Sequence, residues 1–326
     1  MSSIRVGISC VNSLVGQGIV KSLRACDLAG KVELTGFDYL PGTVGGEWVK
    51  PTYILPDILR PGVGEEQWLD ALVMHIKERG IEILFVGIGF ELPLMARHRD
   101  SILSSTGCRV LVSSPENVAR CEDKYLTSLF LAEHGLNPPA TWLPGEEDRV
   151  AYPAVVKPRT GTGSKGLRVV RSRVELDEAL AGVNNPMIQE EVGSRDTEYT
   201  CGALFFDGEV KSTICLRRTL RDGNTNAAWH DRDTPPIIVE FVRSTMAALA
   251  PDGPANLQLR LDASGRPRLF EINLRLSGST AMRTQFGINE PEMALKAMLG
   301  LPLPVFTPRY GRVLRFWEEL YVPEGQ

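Results

Sequence analysis

The chain has 326 residues, of which 43% are hydrophobic and 23% are charged. These proportions are typical of a globular protein, and the length allows about two domains, each with its own core. The formal net charge is only −4, so the composition argues against a general affinity for nucleic acid or for anionic membranes. No apolar run reaches the roughly 18 residues that a membrane-spanning helix requires.

Six cysteines are scattered along the chain without a CxxC pair or another metal-binding spacing: Cys10, Cys26, Cys108, Cys121, Cys201 and Cys215. In the absence of a secretory signal, this distribution is typical of reduced thiols that fill a core. We therefore expect a cytoplasmic protein without a disulfide framework.

The first third of the chain predicts an α/β domain. Four short apolar segments are predicted as strands, namely residues 4–9, 31–38, 81–89 and 109–114. Helices are expected from about Gly18 and over residues 67–79. Strands that alternate with helices favour a parallel sheet that is covered on both faces. We predict a Rossmann-like domain over residues 1–114.

The first turn of this domain partly matches a dinucleotide-binding fingerprint. Gly16 and Gly18 lie in the turn, and Asp38 follows at about the right distance for a ribose contact, but the full G-x-G-x-x-G spacing is missing. A structural domain is therefore the favoured interpretation. An oxidoreductase that binds NAD(P) through this sheet remains an alternative.

A different pattern begins near residue 115. Ser114 is a good N-cap with Pro115 at the first helical position, and Gly135 with the prolines that follow it ends the helix. Strand pairs and Gly-rich turns make up most of the sequence beyond this helix. This pattern predicts an α+β module with antiparallel strands.

Polar side chains collect on one predicted hairpin, "NLQLRLDASGRPRLFEIN" (256–273). If "ASGR" forms the turn, Gln258 lies opposite Glu271 and Asn256 lies opposite Asn273. Alternation places the apolar residues on the other face: Leu257, Leu259, Leu261, Phe270, Ile272 and Leu274. One carboxylate with amide oxygens suits Mg²⁺, which water and substrate phosphates usually complete. The alternative is a solvated polar face.

Two further segments carry candidate nucleotide contacts. In "VVKPRTGTGSKGLRVV", a strand delivers Lys157 to a loop whose glycines let backbone N–H groups approach an anion, and Lys165 adds charge. In "MIQEEVGSRDTEYT", a strand end offers its backbone to a planar base, and Glu198 can accept from ribose hydroxyls. The alternatives are a flexible hairpin and ordinary surface charge.

Together these segments resemble the ATP-grasp superfamily, most closely the branch that is similar to the synthetase domains of carbamoyl-phosphate synthase. The resemblance covers about residues 115–285, and the run "EINLRLSGS" (271–279) is its most specific part. The superfamily usually has Pro where this chain has Leu274. The resemblance implies a pre-ATP-grasp domain followed by two ATP-grasp subdomains, over residues 115–189 with the Gly-rich lid and over 190–326 with the metal site.

The resemblance also implies a nucleotide site. Lys124 would reach ATP, Lys157 would contact the α-phosphate and adenine, and Glu198 would hold the ribose. The implied cofactor-binding residues are Lys124, Lys157, Gly161, Gly163, Lys165, Gly166, Gln189, Glu190, Glu191, Val192 and Glu198. The backbone of residues 190–192 would hold adenine.

The remaining implied roles concern metal, phosphate and substrate. The metal ligands would be Gln258, Glu271 and Asn273, and Arg275 would hold a phosphate oxygen. The polar segment 217–233 predicts an active-site loop in which Arg217 or Arg218 holds the transferring phosphate; a disordered surface loop is the alternative. Further candidates for binding the substrate are Arg283, Ser277 and Ser279, with Arg283 as a carboxylate anchor.

These features predict an ATP-dependent carboxylate–amine ligase of the stand-alone type. It would use ATP and Mg²⁺, with Mn²⁺ able to substitute, and its partners would be small carboxylate and amine substrates. A homodimer is compatible with the sequence, although no interface feature argues for it. The alternatives are phosphoryl transfer to a hydroxyl group or to bicarbonate, the NAD(P)-binding oxidoreductase, and a nucleotide-binding module without catalysis.

Overall fold

The computed structural model describes residues 3–161 and 166–324 and divides into two compact units. The first comprises Met1–Val112, Thr225–Ala228 and Arg275–Gln326, and the second comprises Ser113–Asn224 and Trp229–Leu274. This grouping differs from the predicted segments, because the residues from Arg275 onward cluster with the N-terminal ones. The three-part division stays a prediction.

The first unit contains the predicted parallel sheet. Its strands are β1 (Ile4–Ile8), β2 (Val32–Asp38), β3 (Thr52–Ile54), β4 (Ile83–Phe85) and β5 (Arg109–Leu111), in the order β3-β2-β1-β4-β5. Its helices are α1 (Leu14–Arg24), α2 (Val44–Trp48), α3 (Glu65–Arg79) and α4 (Leu92–Thr106). The parallel sheet is confirmed. Helix α1 begins before Gly18 because the Ser13 hydroxyl accepts from the Gly16 N–H and caps it at Leu14.

The second unit opens with two helices where the sequence predicts one. Ser114 caps α5 (Pro115–Glu122) by accepting from the Asn117 N–H, as predicted. The chain then breaks at Asp123, whose carboxylate accepts from two backbone N–H groups and starts α6 (Lys124–Glu133). The single-helix prediction is wrong because Asp123 is a better N-cap than an interior helical residue.

A four-stranded antiparallel sheet follows. It contains β6 (Thr141–Trp142), β7 (Ala154–Pro158), β8 (Arg168–Val170) and β9 (Pro186–Glu190), in the order β6-β9-β7-β8. Helix α7 (Arg173–Gly182) lies on this sheet. Their shared core consists of Trp142, Ala154, Val156, Val170, Leu176, Ala179, Val183 and Ile188. The pairing of β7 with β8 confirms that Lys157 lies on a hairpin.

The larger sheet of this unit holds most of the candidate site. Its strands are β10 (Glu198–Phe206), β11 (Glu209–Arg221), β13 (Gly253–Leu261) and β14 (Pro267–Asn273). Strand β12 (Asn224–His230) follows β11 in the chain, but its residues Thr225–Ala228 group with the first unit, and helix α8 (Pro236–Leu249) follows β12. Strands β14, β13, β10 and β11 are neighbours in that order, and α8 packs on β10 and β11. The prediction of a loop over 217–233 is wrong for most of this segment, because β11 continues to Arg221 and β12 begins three residues later.

The chain returns to the first unit with α9 (Thr280–Gln285), α10 (Glu290–Met298) and β15 (Gly311–Leu314). Helices α9 and α10 contact α1. The Arg315 N–H donates to the Asn226 carbonyl of β12. None of the helices in residues 3–161 and 166–324 combines the length and apolar character of a bilayer-spanning segment.

Candidate active site

The register of the β13–β14 hairpin brings the predicted metal ligands together. Gln258 pairs with Glu271, and Asn256 pairs with Asn273, as predicted. Gln258 and Glu271 are half-buried, while Asn273 is buried. The alternation of side chains on paired strands therefore places the Gln258 amide beside the Glu271 carboxylate. The Asn273 amide lies two residues further along β14.

A β-bulge changes the hairpin beyond this pair. The register shifts between Gln258 and Leu259, so Leu259 pairs with Leu269. The prediction that Phe270 lies on the apolar face is wrong, because the extra residue at the bulge reverses the alternation there. The Phe270 ring instead lies 5.6 Å from Lys157 Nζ and 5.8 Å from Arg260 Cζ. An aromatic surface thus borders the polar groups of the site.

Glu271 carries a half-buried carboxylate beside the amide side chains of the hairpin. Within residues 3–161 and 166–324, no Lys, Arg or His side chain forms an ion pair with it. Lys157 is close enough to interact electrostatically with this carboxylate but does not pair with it directly, and a divalent cation would compensate the half-buried charge more fully. One carboxylate with two amide oxygens is also a donor set that suits Mg²⁺. The residues present therefore fit the implied metal ion.

Lys157 is held in a dry and positively charged position. Its side chain is buried, and its Nζ donates to Gln189 Oε1 at 2.8 Å. Burial lowers the pKa of Lys157 to about 8; nearby Glu271 opposes this shift, and Lys124 and Arg260 add to it. Because Lys124 and Arg260 add positive charge beside Lys157, this region favours an anionic ligand.

Lys124 and the start of the Gly-rich loop are linked. Lys124 Nζ donates to the Gly161 carbonyl at 2.7 Å, and its backbone N–H donates to the Arg159 carbonyl. Arg159 forms an ion pair with Asp123 at 2.5 Å. Gly161 and Gly166 both have positive φ, which glycine adopts without strain. Gly163 and Lys165 lie outside the described residues, so their roles stay predictions.

Several polar groups of the predicted adenine segment are already engaged. The N–H groups of Glu190 and Glu191 donate to the carbonyls of Ala140 and Pro153. The Glu190 carboxylate accepts from Arg268 Nη2 at 2.7 Å. A base would therefore have to be recognised by the remaining backbone groups of residues 190–192.

Glu198 lies between two arginines rather than exposed to a ligand. It is 8% exposed, and β10 places it opposite Arg260 of β13. Arg218 Nη2 donates to Glu198 Oε1 at 2.9 Å, and Arg260 Nη2 donates to Oε2 at 3.0 Å. Arg218 Nη2 also donates to Gln258 Oε1 at 2.6 Å. Arg218 thus connects the predicted ribose carboxylate to a predicted metal ligand.

The two candidate phosphate-binding arginines of β11 differ in their partners. Arg217 Nε donates to Asp231 at 2.7 Å, and about half of its side chain is exposed. Arg218 contacts the predicted site residues, and only 10% of its side chain is exposed. Alternation along a strand points consecutive residues to opposite faces. The structure therefore favours Arg218 for the predicted role.

The predicted residues after Asn273 belong to the first unit. Arg275 Nη1 donates to the Leu276 carbonyl. Ser277 and Ser279 are buried, and their hydroxyl groups are 2.8 Å apart. Arg283 is fully buried and pairs with buried Glu290 at 3.0 Å. This burial favours a structural role for Arg283 over the predicted anchoring of a substrate carboxylate.

Sequence reasoning assigned no role to Arg260 or Phe270. Alternation did put Arg260 on the polar face of the hairpin, so its position was predictable although its ion pair with Glu198 was not. Phe270 gave no such signal, because a β-bulge leaves little trace in a single sequence.

Residues 194–315 match the model of a family described as "ATP-grasp in the biosynthetic pathway with Ter operon". The carbamoyl phosphate synthase large chain of Paenarthrobacter aurescens is 24% identical over 285 residues, which cover 81% of this chain and 25% of that protein. The multifunctional protein pyr-3 of Neurospora crassa is 27% identical over 227 residues, which cover 61% of this chain and 12% of that protein. The multifunctional protein URA2 of Saccharomyces cerevisiae is 24% identical over 230 residues, which cover 64% of this chain and 10% of that protein.

Solved structures share the fold. The L-amino acid ligase from Bacillus licheniformis superposes with a TM-score of 0.70 at 21% identity, over 91% of this chain and 75% of that one. The ADP complex of purK, an N5-carboxyaminoimidazole ribonucleotide synthetase, has a TM-score of 0.74 at 15% identity, over 95% and 80%. An ATP-grasp family model thus matches residues 194–315 of the chain, and the chain shares its fold with these ligase and synthetase structures.

Proposed function

We propose that this chain is an ATP-dependent carboxylate–amine ligase that works through an acyl phosphate. The observation that carries the proposal is the half-buried Glu271 carboxylate, which has amide-bearing neighbours on the hairpin and buried Lys157 nearby. Such a site can hold a divalent cation beside a polyanion. The sequence relatives and the shared fold with an L-amino acid ligase support the same class of activity.

In the proposed reaction, an oxygen of the substrate carboxylate attacks the γ-phosphorus of ATP. A new C–O–P linkage forms, the bond between the γ-phosphorus and the β,γ-bridging oxygen breaks, and ADP leaves. The amine nitrogen then attacks the acyl carbon, the C–O bond to phosphate breaks, and the amine loses a proton. The products are an amide, ADP and inorganic phosphate.

The protein would contribute positioning and charge rather than a covalent nucleophile. The ligands Gln258, Glu271 and Asn273 would hold a divalent cation, which screens the phosphate charges when bound. Lys157 and Arg218 would donate to phosphate oxygens as negative charge shifts during transfer. The β7–β8 hairpin would cover the site and keep water from the acyl phosphate.

Glu271→Gln tests the proposal directly. The variant should lower ADP release by about 100-fold or more, because it removes the charge that holds the cation. Its free energy of unfolding should change by less than about 1 kcal/mol, since the position is half-buried and lacks an ion pair. The matched control is Glu209→Gln, which changes an exposed glutamate on the same sheet.

The assay measures ADP and phosphate release over a panel of amino acids and small carboxylates, each with and without amines. Ligase activity predicts that full turnover requires an acid and an amine together. Turnover with an acid, hydroxyl compound or bicarbonate alone would instead identify another phosphoryl transfer. If Glu271→Gln retained wild-type turnover, the metal assignment would be wrong.

A further inference from the structure

A continuous chain of hydrogen bonds crosses the larger sheet of the second unit. Arg260 Nη1 donates to the Val192 carbonyl at 3.4 Å, and its Nη2 donates to Glu198 Oε2 at 3.0 Å. Arg218 donates to the other oxygen of Glu198 at 2.9 Å and to Gln258 Oε1 at 2.6 Å. The predicted adenine segment and the predicted metal ligand are thus joined through a single carboxylate.

The strand register makes this arrangement specific. Glu198 is the first residue of β10, and Arg260 lies opposite it on β13. Tyr199 of β10 pairs with Arg217 of β11, so the next pair along the ladder brings Arg218 beside Glu198. Two guanidinium groups share one carboxylate, which leaves net positive charge in a place that is only 10–24% exposed.

Arg218 and a divalent cation compete for the same atom. A metal ligand oxygen lies about 2.1 Å from Mg²⁺, and Gln258 Oε1 already lies 2.6 Å from Arg218 Nη2. A cation bound to that oxygen would therefore stand close to a guanidinium in a poorly solvated site. Like charges at such a distance repel, and the hydrogen bond from Arg218 also occupies Gln258 Oε1, so the guanidinium has to leave this oxygen before a cation binds there.

The nucleotide supplies a better acceptor for Arg218 than the amide. A hydrogen bond from a guanidinium to a phosphate oxygen is charge-assisted, and it is stronger than one to a neutral amide oxygen. A triphosphate near Lys157 would therefore draw Arg218 away from Gln258. The oxygen of Gln258 would then be available to the cation.

We propose that Arg218 blocks the metal ligand Gln258 until a nucleotide binds. This inference rests on the proposed function, because it takes Gln258 and Glu271 as metal ligands. It predicts an order of events: the divalent cation binds weakly to the free protein and tightly once the nucleotide phosphates hold Arg218.

The test measures Mn²⁺ binding without nucleotide, by the electron paramagnetic resonance signal of free Mn²⁺. Arg218→Met should tighten binding by about tenfold, the value of one hydrogen bond to a charged group. Arg218→Lys should tighten it too, because an ammonium keeps the charge but cannot span Glu198 and Gln258 together. Arg221→Gln, an exposed change on the same strand, should stay within about twofold of wild type.

The variants separate blocking from simple repulsion. If Arg218→Lys bound Mn²⁺ as weakly as wild type while Arg218→Met bound it tightly, charge alone would explain the effect and the blocking role would be overturned. Equal Mn²⁺ affinity of the wild type with and without ADP would overturn it as well. Arg218→Lys also keeps a cation beside Glu198, which protects the test against loss of folding.

Glu271→Gln distinguishes this inference from the proposed function. If it abolishes Mn²⁺ binding in the presence of ADP, the metal site stands, and the Arg218 variants alone decide the blocking role. If it leaves Mn²⁺ binding unchanged, or if the wild type binds no Mn²⁺ even with ADP, both the metal assignment and the inference fail.

Discussion

Lys157 combines burial with proximity to other cations, and this sets how the site responds to pH. Removal from water disfavours the ammonium form and lowers the pKa of Lys157 to about 8. The folded protein thus loses this proton at a lower pH than the unfolded chain does. Burial of the charged form costs stability in full below about pH 8, and this cost declines as the pH rises from about 8 to 10.5, the ordinary pKa of lysine. A phosphate ligand, however, needs the charged form.

We therefore expect nucleotide affinity to fall as the pH rises through about 8. Calorimetric titration with ADP without metal should show affinity decreasing by up to about tenfold between pH 7 and pH 9. Lys157→Met should bind ADP weakly and with a flat profile over that range. A wild-type affinity that does not change between these pH values would contradict the assignment of Lys157 to phosphate.

The ion pair of Arg283 and Glu290 is a second feature at the scale of single residues. Both side chains are essentially inaccessible, and the two groups are 3.0 Å apart. Burial raises the pKa of Glu290, and Arg283 counters this shift. Loss of one partner would leave an uncompensated charge in the interior.

Arg283→Met should therefore destabilise the protein by about 3–5 kcal/mol in chemical denaturation. The double variant Arg283→Met with Glu290→Leu should recover most of that loss, because no buried charge remains. A substrate anchor would behave differently: the single variant would stay stable and its KM for the carboxylate would rise.

At the scale of elements, two tight turns define the length of β11. Asp207 and Gly208 precede the strand, Asp222 and Gly223 follow it, and all four have positive φ. Asp-Gly in this conformation forms the turn whose twist matches that of paired strands. The turns thus set the ends of the strand that carries Arg218, a feature that "DG" in the sequence could have predicted.

Gly223→Ala should cost about 1 kcal/mol in unfolding free energy, because an alanine is strained at φ 76°. Gly208→Ala should cost a similar amount, since its φ is also 76°. Only Gly223→Ala should weaken ADP binding, because that turn follows the end of β11 that carries Arg218. Equal binding by the two variants would show that Arg218 does not depend on this turn.

At the scale of the whole molecule, a chain with a net charge of −4 carries a locally basic site. Lys124, Lys157, Arg218 and Arg260 all belong to the second unit, where Lys124 and Arg260 act together on the pKa of Lys157. Local charge rather than net charge decides which ligand a cleft concentrates. We therefore expect this part of the second unit to attract polyanions such as nucleoside triphosphates.

MgATP at about 100 times its Kd should stabilise the folded chain by about 2.7 kcal/mol, and thermal unfolding measures this as a higher Tm. NAD(P) should give no comparable shift. The Lys157→Met variant should lose the response to MgATP at the same concentration. Stabilisation by NAD(P) but not by MgATP would favour the oxidoreductase alternative.

The sequence predicted much of the local structure and part of the site. The 256–273 hairpin was predictable because its polar and apolar residues alternate, and Ser114 was predictable because it precedes Pro115 at a helix start. The sequence predicted neither the helix break at Asp123 nor the strands over 217–230. A local helix cap decided the structure at Asp123, and a tight turn between two strands decided it within 217–230.

Residue pattern by itself indicated the parallel sheet, the pairing of Gln258 with Glu271 and of Asn256 with Asn273, and the resemblance to the ATP-grasp superfamily, because periodicity and motif spacing are properties of neighbouring residues. Only the tertiary structure decided that Arg218 rather than Arg217 reaches Gln258, that Phe270 lies beside Lys157, and that Arg283 is buried against Glu290. Each of these depends on a bulge, a strand pairing or the burial of a charge. Such features depend on contacts between residues that are far apart in the sequence. The order of residue types along the chain does not reveal how strong those contacts are.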